Sequence, residues 1–286
     1  MRYIGVKEAA AKWNISDRRV RIMCTEGRIE GAVKLEWSWA IPENTEKPTD
    51  GRATRHMKNR YLRLGNIDLE VIDEKKAQSP LESAFFSTPY FGNLVMNNLE
   101  YSLAREGVKF SRAGTRDVLD GKVSKALSLD ELLIVSNYKA VFRKSGNLMG
   151  EFLDAGFKTL LSSFFQGTGY EAEYDVSEED KALQMEVLFN QYETEWKHLH
   201  PVFKAVLVFA EITRIRPVKR FNDAIATLAM NGILMLNGYC PVMFEQSMID
   251  EINATLTLIK RRGNYQDFSL IVERCLLESY KEIEYV

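Results

Sequence analysis

Apolar and polar positions divide this chain into a short head and a long helical body. In "VKEAAAKW", Val6 to Trp13, Ala9, Ala10 and Trp13 recur on one helical face, which predicts a short helix. Asn14-Ile15 reads as a tight turn, with Ile15 bridging to a second helix. Ser16 is a natural N-cap for that helix, and Asp17 suits its positive end. The helix is expected to run to about Glu26 and to stop at Gly27. Val20 with Met23 or Cys24 forms its inward face, so Arg18, Arg19 and Arg21 project outward. "AVKLEWSWAIP" then alternates at Val33, Leu35, Trp37 and Trp39, the pattern of a small β-hairpin.

Ile41 to Arg60 mixes Pro, Gly, Asp, Asn and Thr with no apolar period and reads as a linker. Gln78-Ser79-Pro80 is a second polar break. The expected organisation is a head over 1–50, a linker over 51–80 and a body over 81–286. Helical stripes dominate the body: Leu94, Val95, Leu99 and Leu103, then Leu132, Leu133, Val135, Tyr138 and Val141. "HPVFKAVLVFAEITRI" and "DAIATLAMNGILMLNG" are apolar almost all round and are expected to be central helices. Between these stripes, "GTGYEAEYDV" is a Gly-rich turn followed by a strand-like piece.

The 286 residues allow two domains, and 45% hydrophobic with 27% charged is ordinary globular composition. No run approaches the roughly 20 apolar residues of a membrane span, and "MRYIGVKEAA" has no apolar signal core. Cys24, Cys240 and Cys275 are odd in number and far apart, which argues for reduced thiols in a cytoplasmic protein. The net charge of -2 hides an asymmetry. The first 65 residues carry 14 Lys/Arg against 8 Asp/Glu, and the rest 24 against 32. A basic head on an acidic body points to nucleic acid as a partner of the head, or to a solvated cationic face.

The Ser-capped helix, Arg21, and Gly27 with the apolar residue after it make the head resemble the MerR/excisionase-like winged helix-turn-helix family. That resemblance implies DNA in contact with the second helix in its major groove. Arg18 and Arg19 would meet base edges, and Arg21 and Lys34 would meet phosphates. Arg52 and Arg55, with Lys58 and Arg60, would add sequence-independent affinity. A module this small implies a homodimer for specific binding.

In the body, "LAMNGILMLNGYCPV" and the lead-in "HPVFKAVLVFAEITRIRP" resemble the Fic family, as does "GNYQDFSLIVERCLLESY". Members of that family mostly transfer AMP from ATP to a protein hydroxyl. The resemblance implies a mainly α fold: a winged helix-turn-helix followed by a Fic-like helical bundle with a short β-hairpin. With the register set on Met230-Asn231, Arg216 stands at the family's catalytic His and Val218 at its Phe. Arg220 stands at the acidic metal ligand, Phe221 and Asp223 replace two glycines, and Ala224 and Thr227 replace two arginines. Pro217 and Asn222 are retained. Arg stays protonated and cannot serve as a base near neutrality. A cation at position 220 repels Mg²⁺. The loop is therefore expected to be catalytically degenerate, with no cofactor. The alternative is a rebuilt nucleotidyltransferase using ATP and Mg. The only histidines are His56, His198 and His200. Glu100 in "MNNLEY" would be a remnant of the family's inhibitory helix, or an exposed helix Glu. Arg214, Arg216, Lys219 and Arg220 make a cationic loop, either anion-binding or paired locally. The expected function is transcriptional regulation by DNA binding, with a body that dimerises, senses or binds a protein partner. An inactive partner of an active Fic protein is a further alternative.

Overall fold

A computed structural model describes residues 3–25, 29, 31–35, 38–48, 63–150, 153–175 and 181–284. The chain forms two compact units, Met1–Arg55 and His56–Val286.

In the first unit, helix α1 (Val6–Trp13) packs on α2 (Asp17–Thr25) and on a three-stranded antiparallel sheet. Its strands are β1 (Tyr3–Gly5), β2 (Val33–Lys34) and β3 (Trp39–Pro42), in the order β1-β3-β2. Asn14 ends α1 in the left-handed region at φ 51, a conformation Asn tolerates through its short polar side chain. Ile15 N–H then donates back to Ala10 O at 3.0 Å, closing the turn. Ser16 Oγ accepts Arg19 N–H at 3.3 Å, the cap expected at the start of α2. Ala9, Trp13, Val20, Met23 and Ile41 are buried between helices and sheet.

The hairpin differs from its sequence pattern in two ways. It gains β1, a strand too short to show a period. The alternation also buries no face of β2: Val33 is 49% exposed, Leu35 52% exposed, and Lys34 between them is exposed as well. Lys34 pairs with Trp39 in the register, and Ile4 pairs with the buried Ile41. Gly27 and Trp37 lie outside the described residues.

The described residues of the second unit form helices and loops and no strand. Its helices are α3 (Leu69–Gln78), α4 (Pro89–Arg105), α5 (Arg112–Leu119), α6 (Leu129–Leu148), α7 (Leu153–Phe164), α8 (Lys181–Glu193), α9 (Pro201–Ile215), α10 (Asn222–Leu236), α11 (Ile249–Arg262) and α12 (Gln266–Glu284). Start signals explain several boundaries. Thr88 caps α4 ahead of Pro89, and Ser128 with Glu131 forms a capping box on α6. His200 caps α9 by accepting Val202 N–H on Nδ1 at 3.3 Å.

As their all-round apolar patterns require, α9 and α10 are central. Every residue of α10 from Asn222 to Met235 is buried, against α9, α6, α4 and α7. Gly232 makes the α6 approach possible: a Cβ there would lie 2.6 Å from Met149 Cγ and 2.9 Å from Ser145 O. Trp196 and Tyr192 are core residues, as their helical spacing suggests.

Two expectations about this unit change. Residues 69–78, placed in the linker by sequence, form α3 and dock on α12. Ile72 is the buried residue of α3, and one such residue leaves no apolar stripe to read. Polar ties fasten the helix instead. Asp68 N–H donates to Glu273 Oε1 at 2.6 Å, and Asp73 Oδ1 accepts Tyr239 O–H at 2.6 Å and lies 3.3 Å from His200 Nε2. The second change concerns the piece after Gly167, which forms no strand or β-hairpin among its described residues. Asp175 N–H donates instead to Pro217 O at 2.8 Å, which lays the segment beside the loop between α9 and α10. No helix among the described residues is long and apolar enough to cross a membrane.

Candidate functional site

The loop Arg216–Phe221 turns the chain from α9 into α10. Two non-glycine residues in the left-handed region set its shape, Arg216 at φ 51 and Phe221 at φ 64. Such a backbone costs roughly 1–2 kcal/mol per residue, so the surroundings must hold it. At Phe221 an aromatic cluster does this, with ring centroids 5.1 Å from Tyr170, 5.9 Å from Phe164 and 6.2 Å from Phe165. Asn222 then staples the loop: its Oδ1 accepts Val218 N–H at 3.0 Å, and its Nδ2 donates to Val218 O at 2.7 Å.

At the start of α10 the unpaired N–H groups and the helix dipole favour an anion. Glu106, the residue that ends α4, supplies it. Its Oε2 accepts Phe221 N–H at 2.7 Å and its Oε1 accepts Asp223 N–H at 2.9 Å. The Glu106 side chain is only 6% exposed. The site's own carboxylate therefore occupies the position a phosphate takes at such a helix end.

Asp223, in the first turn of α10, is buried. Arg105 Nη1 lies 3.1 Å from Asp223 Oδ1, and Arg216 Nη1 3.7 Å from Oδ2. Burial pushes the Asp223 carboxyl up to about 6, and the charge of Glu106 adds to the rise, while Arg105 and Arg216 oppose it. The sign of the consequence is fixed by that direction. An acid whose folded pKa is raised stabilises the fold fully below about pH 4, and this contribution is lost as pH rises through about 6. Asp223→Asn is expected to leave stability unchanged near pH 4 and to raise it at pH 7 by about 2–3 kcal/mol. Urea midpoints of the two chains at both pH values check this.

The other loop cations are paired locally. Arg214 Nε donates to Glu211 Oε2 at 2.7 Å, and Lys219 Nζ to Glu171 Oε2 at 2.7 Å. Arg220 is exposed and sits over the Tyr170 ring at 5.9 Å. Pro217 is buried. Ala224 and Thr227 face the core, where Thr227 Oγ1 donates to Asp223 O at 2.8 Å. Glu100 does not take part in the loop contacts: it pairs with Arg112 of α5 at 3.4 Å. The carboxylate that reaches the start of α10 is Glu106, and neither it nor Arg105 was foreseen. Their contacts span more than a hundred residues of sequence, and no local pattern marks them. Beside the loop, α9 and α11 border a cleft of about 320 Å³, into which Arg105, Arg214, Arg216 and Lys260 all project.

In the first unit, Arg18 and Arg21 are exposed along α2, Arg19 is half-buried and Lys34 is exposed on β2. Arg52 and Arg55 lie outside the described residues.

No family model matches the chain, and no curated protein matches it. Solved structures do. A Fic domain-containing signalling protein from Bacteroides thetaiotaomicron superposes with a TM-score of 0.61 at 16% identity, covering 75% of this chain and 95% of that one. Fic-1 (residues 134–508) from C. elegans gives 0.62 at 17% identity, covering 82% and 74%. A Fic family protein from Desulfovibrio desulfuricans G20 gives 0.56 at 17% identity, covering 79% and 74%. The chain is mainly α with a small antiparallel sheet, and it contains the fold of Fic-domain proteins.

Proposed function

We propose that this chain is a DNA-binding regulator whose Fic-like body has lost nucleotidyl transfer. The observation that carries the DNA half is the α1–turn–α2 pair backed by a three-stranded sheet, with Arg18 and Arg21 exposed along one helix. This arrangement supports the winged helix-turn-helix reading, in which α2 would enter the major groove. Arg18→Ala with Arg21→Ala is expected to weaken binding to duplex DNA at least tenfold and to flatten its salt dependence. Electrophoretic mobility shift over a salt series reads both. Retention unchanged by the double substitution counts against the proposal.

Loss of transfer is supported by how poorly the loop fits a Mg²⁺-bound nucleotide. Glu106 already takes the two N–H groups at the start of α10. Arg220 stands where the resemblance places an acidic metal ligand, and its fixed positive charge opposes Mg²⁺. Ala224 and Thr227 carry no charge to pair with phosphate oxygens, and the buried Thr227 hydroxyl already donates to Asp223 O. Arg216 cannot act as a base, and His200 caps the far end of α9. The body is then a scaffold for sensing, for a second copy or for a protein partner.

A second reading keeps the body as a divergent nucleotidyltransferase using ATP and Mg. The left-handed Phe221 and the Asn222 staple favour it, because they preserve a tight phosphate-loop shape. Incubation with labelled ATP and lysate separates the two. Label transfer that disappears in Asn222→Ala would establish the second reading.

A further inference from the structure

We propose that the cleft between α9 and α11 binds a small molecule with a dianionic head group on a compact apolar body, without a divalent metal. This deepens the reading of the body as a non-transferring sensor and rests on it. The cleft measures about 320 Å³, near the lower limit of pockets that enclose small ligands. Ala210, Leu256 and Ile259 provide its apolar walls, and Arg105, Arg214, Arg216 and Lys260 its cationic side.

These four cations differ in how firmly they are held, and Arg105 is already committed to the buried Asp223 at 3.1 Å. Arg214 is fixed by Glu211 at 2.7 Å and by Gln184 at 2.9 Å, and Glu211 in turn accepts the Tyr265 O–H at 2.9 Å. It is a preoriented donor on the cleft wall. Arg216 is loose. Its guanidinium lies 3.8 Å from Glu106 and 3.7 Å from Asp223, beyond hydrogen-bond length, and is 47% exposed. Lys260 is exposed and has no carboxylate partner among the described residues. Two cations with unspent donors beside a third that is already aimed match a dianion better than a monoanion. The carboxylates nearby are Glu106, Glu211 and Asp223. Each already holds a cation or backbone N–H groups, and Asp223 is buried. A free divalent metal has no ligand set here and meets Arg216 and Lys260.

The cleft is adjacent to the start of α10 without including it. A phosphate at the cleft therefore leaves Glu106 in place and draws Arg216 away from Asp223 and Glu106. Ligand binding is thereby coupled to the loop before α10.

Calorimetry on the full chain in EDTA, with phenyl phosphate, benzoate and benzyl alcohol as probes, tests the assignment. Phenyl phosphate is expected to bind, benzoate at least fivefold more weakly, and benzyl alcohol not at all. Arg216→Gln and Lys260→Ala are each expected to weaken phenyl phosphate by about tenfold, the loss of one charge-assisted contact. Lys260 is exposed, so its substitution leaves folding intact and keeps the test decisive if Arg216→Gln is unstable. Absence of binding at about 10 mM phenyl phosphate, affinity unchanged in Lys260→Ala, or a strict Mg²⁺ requirement overturns the inference. Labelled ATP distinguishes the two levels. A chain that binds phenyl phosphate in EDTA but also transfers label keeps the cleft and loses the sensor reading. A chain that does neither loses the cleft alone.

Discussion

Phe221→Ala is expected to destabilise the body by about 3–5 kcal/mol, the usual cost of emptying a buried aromatic position. The ring is 2% exposed and packs against Tyr170, Phe164 and Phe165. The backbone at φ 64 opposes this, because Phe pays for a left-handed conformation that Gly adopts freely. Phe221→Gly is therefore expected to be about 1 kcal/mol less damaging than Phe221→Ala. Packing wins because the aromatic contacts exceed the backbone cost several-fold. Urea denaturation of both variants measures the ordering. A Phe221→Gly chain as stable as the parent would mean that the cluster does not hold the loop.

Glu106→Ala is expected to cost a similar amount, about 3–5 kcal/mol. It orphans two N–H groups at the start of a buried helix, each worth roughly 1–3 kcal/mol, and removes the anion that offsets the dipole. Glu106→Gln separates acceptor geometry from volume. The two N–H groups bond to different oxygens, Phe221 to Oε2 and Asp223 to Oε1. An amide presents one acceptor and turns its NH₂ toward the other donor. The Gln variant is thus expected to be nearly as unstable as Ala despite its matched shape. Thermal and urea unfolding of the two variants read this directly. A Gln variant equal to the parent would assign the role of Glu106 to packing.

The path from sequence to site was uneven for identifiable reasons. Helices α9 and α10 were legible because a helix buried on all sides needs apolar residues all round, and their sequences have them. The Ser16 cap and the Asn14 turn were legible because capping and left-handed turns select few residue types. α3 was not, since a helix held through Ile72 and the Asp68 and Asp73 contacts carries no stripe. The exposure of Val33 and Leu35 was not legible, because alternation reveals two faces without saying which is covered. Inside the loop, the substitutions at 216, 220, 221 and 223 could be named in order along the chain. What replaced their chemistry could not, because Glu106 and Arg105 arrive from another helix.

By itself, then, the sequence determined the elements: two central apolar helices, a capped helix pair bearing Arg18, Arg19 and Arg21, and a connecting loop without His, acid or glycine where the resemblance expects them. Only the tertiary structure decided what fills that loop. Helix periodicity and caps arise from contacts within a few residues, so they are written locally. The carboxylate on the start of α10, the aromatic support of Phe221 and the cationic cleft join residues far apart in the chain. Their partners are chosen by how the helices pack.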